Sequence, residues 1–159
     1  MPAFDALMAV LDYPMLIVTA RSGREVDGCL VGFAAQVSVH PPRFLVGLSR
    51  RNRTFRIARE ATHLGVHLVA EDDAELAELF GGRSGDDTDK LARVAWHEGP
   101  AGVPLLDELP NRFAGRVLER LALGDHVGHL LEPIAAEYAG DEPPFTFRRA
   151  RDIEPGHAP

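Results

Sequence analysis

Three short segments carry the residue types that could bind charge or move it. Ser49-Arg-Arg-Asn-Arg-Thr54 places two hydroxyls, an amide and three guanidiniums just ahead of a stretch that reads as helix. A phosphate wants backbone N–H groups at a helix start, a hydroxyl and a guanidinium. Ser49, Asn52, Thr54 and Arg53 or Arg50 supply that set. An ordinary helix cap with solvated arginines explains the same residues equally well. Lys90, after the acidic run Asp86–Asp89, is a further candidate for the same anion. A surface salt bridge is the plainer reading of that lysine.

Gly28–Ser38 is rich in small and apolar residues, with Gly28, Gly32, Ala34 and Ala35 leaving main chain open. A flat ring lying along a strand needs such close approach. A strand with a bend at Gly32 is the plain alternative. The third segment is Gly124–His126, a tight turn with His126 opening the next strand. Imidazole titrates near neutral pH, so His126 can donate to a ligand or move a proton. A turn held by Asp125 and His126 is the structural alternative. Metal binding is disfavoured: His126 and His129 are three apart on an expected strand and face opposite sides. Cys29 has no neighbouring histidine, and Ser38 lacks the G-x-S-x-G pattern, so nucleophilic catalysis is disfavoured too.

These segments need a scaffold. The chain has 159 residues, 45% of them hydrophobic, which fits one domain over residues 1–153 with a frayed tail at 154–159. Its net charge of −7 disfavours a nucleic-acid partner. The one cysteine fits a reducing compartment. There is neither a signal-like start nor an apolar run of membrane length. The expectation is a cytoplasmic protein without a membrane partner. Phe4, Leu7, Met8 and Leu11 share one face of a short helix that Pro14 ends. Strands are expected at 15–20, 27–33, 36–39, 44–48, 64–69, 112–121 and 126–136, with a last one at 145–148. Helices are expected after Asn52 or Thr54 and after Asp72 or Asp73, the latter ending before Gly81-Gly82. Residues 83–90 read as polar and flexible, and 97–104 as a Gly/Pro-rich loop. Seven or eight strands with three short helices, and no β–α alternation, point to a mainly β fold. The expectation is a closed or half-closed antiparallel barrel.

Taken in order, the motifs resemble the flavin-reductase-like family of FMN-binding split barrels, from about Leu7 to Arg148. The matching pieces are Ile17–Thr19, Gly28, Ser38–Pro42, Ser49–Thr54, Phe80, Lys90 and Gly124–His126. The resemblance implies an antiparallel split β-barrel. It implies FMN against Gly28, Cys29, Leu30, Val31, Gln36, Val37 and Ser38, with its phosphate at Ser49, Asn52, Arg53 and Thr54 and Lys90 nearby. It also implies a homodimer, with NADH or NADPH as reductant. Hydride transfer to the flavin would take place beside His126, and reduced flavin would pass to a partner monooxygenase. Leu30, Gly32, Gln36 and His40 stand where that family usually has threonine, asparagine or serine, serine, and aspartate. FAD or a deazaflavin therefore stays open as the ring, as does a fixed prosthetic flavin. A non-catalytic flavin carrier or sensor is the alternative function.

Overall fold

The structure is a computed structural model that describes residues 1–82 and 86–153. The expected tail at 154–159 and part of the expected flexible stretch, 83–85, lie outside the described residues. Seven strands form one sheet in the spatial order β2-β1-β5-β8-β9-β4-β3. They are β1 Leu16–Ser22, β2 Glu25–Val31, β3 Ala34–Ser38, β4 Arg43–Ser49, β5 His63–Leu68, β8 Arg112–Ala122 and β9 His126–Glu137. Every neighbouring pair is antiparallel. Two three-residue strands, β6 Trp96–Glu98 and β7 Pro104–Leu106, form a separate hairpin at the two ends of the stretch 97–104 expected to be loop.

The sheet curls until its two ends face each other. Cys29 and Val31 of β2 share one core cluster with Val46 and Leu48 of β4, although no ladder joins those strands. Helix α2, Arg53–Ala58, contributes Phe55, Ile57 and Ala58 to that interior. The barrel is therefore split, with α2 plugging it. A second cluster forms on the outer face of β1 and β2. There α3, Ala74–Gly82, inserts Leu76, Ala77 and Phe80 against Ile17. Gly81 lies within the last turn of α3, not past its end; a Cβ there would come within 2.8 Å of Leu30.

Two expected elements differ. Residues 145–148 do not form a strand. Phe145 makes one main-chain bond to Met15 and one to Val69, and the chain then turns into α4, Phe147–Ala150. Helix α1, Pro2–Ala9, forms, but none of its residues is buried. Phe4, Leu7, Met8, Val10 and Leu11 are all exposed, so this apolar stripe has no partner within the described residues. No helix among those residues is long and apolar enough to cross a membrane.

Candidate functional site

The main groove opens at the split. β3 pairs with β4 only as far as Val46, which leaves Gly47–Ser49 facing the end of β2. The resulting depression encloses about 790 Å³, a volume within the range of cofactor sites. Cys29, Leu30 and Val31 form one wall, and Gly47, Leu48 and Ser49 the other. Asn52 lies at one end; its side chain is close enough to hydrogen-bond the Cys29 thiol. Tyr13 and Phe147 stand toward the Gly32 side, stacked at 4.8 Å. A Cβ on Gly32 would meet the Tyr13 ring at 3.0 Å, so glycine is what lets that aromatic close in. From Cys29 to Gly32 the strand advances roughly 10 Å, from a polar end to an aromatic one. Phe4 and Asp5 of α1 also line the groove.

His126 borders it from β9. Gly124, at φ 135°, makes the turn before it, a conformation that favours glycine. The turn is fastened to the Ser49–Asn52 loop: Arg50 donates its main-chain N–H to Asp125 O at 3.0 Å and its Nε–H to Gly124 O at 2.9 Å. Asp125 Oδ1 lies 2.7 Å from His126 Nδ1. That hydrogen bond, with the charge of the imidazole when protonated, holds the Asp125 carboxyl below its usual range. Phe33, at the β2–β3 corner, packs its ring 4.9 Å from the imidazole, tilted by 60°.

The structure gathers Cys29, Leu30, Val31, Ser49, Asn52 and His126 around one groove. The other expected site residues do not line it. Gly28 is on the opposite face of β2, where a Cβ would press on Phe80 at 2.9 Å; its openness admits a phenylalanine of the protein itself. Gln36, Val37 and Ser38 lie on the edge strand β3, and Gln36 Nε2 donates to Ser38 O at 3.1 Å. Thr54 is fully buried, and its N–H donates to Asn52 Oδ1 at 2.8 Å, so Asn52 is the helix cap. Arg53 Nη1 is 3.6 Å from Asp27 Oδ2 and donates to Val26 O at 3.3 Å. Lys90 is not on the surface: it is 1% exposed, with Nζ 3.5 Å from Asp27 Oδ1 and against the Phe80 ring. The signal that hides these roles from the sequence is Asp27, a carboxylate 2% exposed inside a strand. Phe4, Tyr13, Phe33 and Phe147 were not expected at the site. They come from four separate segments, so no spacing announces them.

Burial holds three interior groups, Cys29, His67 and His129, neutral. Burial pushes the Cys29 thiol up to about 11. Burial pushes His67 and His129 down to about 4. His67 bridges three strands: Nδ1–H donates to Ile17 O at 3.0 Å and Nε2 accepts Leu106 N–H at 3.0 Å. His129 packs edge-on against Phe55 inside the barrel, opposite in facing to His126.

The fold is thus a split antiparallel barrel whose groove, between its free ends, is lined at one end by Tyr13 and Phe147. The chain belongs to the flavin reductase like domain family, whose profile matches residues 8–154. It is 30% identical over 153 residues to the FMN reductase (NADH) RutF of Methylorubrum extorquens, which covers 95% of this chain and 74% of that protein. It is 31% identical over 135 residues to the reductase component of a 4-nitrophenol monooxygenase from Rhodococcus opacus, covering 85% and 70%. The flavin reductase domain protein of Arthrobacter sp. FB24 superposes with a TM-score of 0.83 at 23% identity, over 93% of this chain and 91% of that one.

Proposed function

We propose that this chain is an NAD(P)H-dependent flavin reductase that takes FMN into the groove between β2 and β4. The observation that carries the reading is the groove itself: main chain close on both sides, a polar end at Asn52 and an aromatic end where Tyr13 and Phe147 stack beside Gly32. The groove is wide enough for the ring of FAD or a deazaflavin as well, and titration with each ring separates them. When bound, FMN supplies an acceptor that takes a hydride from the dihydronicotinamide of NADH or NADPH. Ser49 and Asn52 anchor the ribityl phosphate, with Arg51 and Arg53 flanking the cap. The apolar walls exclude water from the ring. His126, held by Asp125, orients the reductant's ring. The relatives that serve as monooxygenase components support a role in passing reduced flavin to a separate oxygenase.

The protein acts as a homodimer in this reading. Phe4 of α1 lines the groove while Leu7, Met8 and Leu11 beside it are exposed, so a second copy set on α1 would complete the groove's outer wall. Light scattering that gives only monomer with FMN bound overturns the dimer. The function is tested by following NAD(P)H oxidation with and without added FMN. Flavin fluorescence quenching without any oxidation favours the carrier or sensor role instead.

A further inference from the structure

A second depression, about 390 Å³, lies on the other side of Phe33 from the main groove. Ala34, Ala35, Leu45 and Leu123 make it apolar. Phe33, Gly47, Asp125 and His126 border both depressions. The Phe33 ring thus stands on the ridge between them, tilted against the His126 imidazole that borders both. It is 61% exposed, so it fills no core. Its backbone is nevertheless fixed: Phe33 O accepts Gly47 N–H at 2.7 Å, and a Cβ on Gly47 would come within 3.3 Å of the Phe33 side chain. A firmly held corner that carries a large exposed aromatic ring against a histidine suits contact with a planar ligand.

We propose that Phe33 is a positioning residue for the reductant, which crosses the ridge beside His126 from the smaller depression, so that its nicotinamide ring touches the Phe33 ring on one side and meets the flavin in the larger groove on the other. The ridge then sets how the reductant meets a flavin in the larger groove, and Phe33 makes no contact needed to hold the flavin's phosphate. The inference rests on the flavin being in the larger groove.

The test uses the full chain with Phe33 changed to Ala, Leu and Tyr. Flavin fluorescence gives the FMN dissociation constant, and steady-state oxidation gives KM and kcat for NADH and NADPH. Loss of an aromatic contact predicts that Phe33→Ala raises KM for the preferred reductant about tenfold. FMN affinity stays within about twofold, and Phe33→Tyr restores KM while Phe33→Leu does not. A Leu variant as good as the native protein overturns the proposal, since bulk alone would then suffice. An Ala variant that loses FMN as strongly as reductant also overturns it and makes Phe33 a wall of the flavin site. An unchanged KM in all three variants removes any role for the ring. If Asn52→Ala leaves FMN binding untouched, the groove assignment falls and this proposal with it; silent Phe33 variants beside a weakened Asn52→Ala leave the groove standing.

Discussion

Asp125 Oδ1 and His126 Nδ1 are 2.7 Å apart across a turn that Arg50 ties to the Ser49–Asn52 loop. The carboxylate selects the tautomer with hydrogen on Nδ1 and leaves Nε2 as the nitrogen available to a ligand. The side chain of His126 is 21% exposed, enough to touch a ligand in the groove. His126→Ala should lower reductase turnover at least tenfold with FMN affinity kept within a few-fold. Asp125→Asn should act less, because the amide still accepts from Nδ1. Steady-state kinetics beside a fluorescence titration decides. Loss of FMN binding in a folded His126→Ala protein makes His126 a flavin ligand.

Arg53 and Lys90 meet at Asp27, and this separates their predicted effects. Lys90 and Asp27 are both almost fully buried. Removing the cation leaves a carboxylate in the interior with Arg53 as its remaining partner at 3.6 Å. Breaking such a buried pair costs about 3–5 kcal/mol. Lys90→Met should therefore lower urea stability by that order without changing the preference for FMN over riboflavin. Arg53 keeps 28% of its side chain exposed beside Asn52. Arg53→Ala should weaken FMN more than riboflavin, by about 1.5–3 kcal/mol. Equal weakening of the two ligands puts the phosphate elsewhere.

The sequence carries the strands and misses the partners. Alternation and β-branching locate β1, β4, β5, β8 and β9 within a residue or two, because each buries one face and the period of two survives in the residues. The cap was legible to one of two residues, Asn52 or Thr54, for the same kind of reason, and the structure selects Asn52, whose hydrogen bond spans two residues. Long-range pairs leave no such trace. Nothing near Lys90 announces Asp27, sixty-three residues earlier, so a buried ion pair reads as a surface lysine. Gly28 reads as open backbone until α3 brings Phe80 onto it. The strand expected at 145–148 fails because Phe145 extends between Met15 and Val69 for one residue only before α4 begins.

Cys29 lines the groove but should not react. It is 3% exposed, and burial lifts its thiol to about 11, so the thiolate is scarce at neutral pH. A thiol reagent at pH 7.5 should label much less than one group per folded chain and one after denaturation. FMN binding and turnover should survive the treatment. Rapid native labelling with loss of FMN would show that the groove opens further than the structure does.

His67 and His129 make the fold sensitive to acid. Each has a folded pKa near 4, well below the ordinary 6.5 of an unfolded histidine. Between those values the unfolded chain takes up protons that the folded chain refuses. Stability is thus complete above about pH 6.5, falls as the pH drops toward 4, and levels off below the folded value. A difference of this size amounts to on the order of 3 kcal/mol for each histidine at most. Urea unfolding at pH 7.5, 6, 5 and 4 should show the loss in that window. The two sites differ in what removal does. His67 makes hydrogen bonds with Ile17 and Leu106, so its replacement weakens the fold at every pH. His129 makes one such bond, Nδ1–H to Val127 O at 3.1 Å within its own strand, and its Nε2 is buried with no hydrogen-bond partner among the described residues. His129→Leu should therefore make the acid limb shallower, leaving the share of His67, and cost about 0.5–1.5 kcal/mol at pH 7.5 for the lost bond. An acid limb as steep as before would mean that other groups carry the proton uptake.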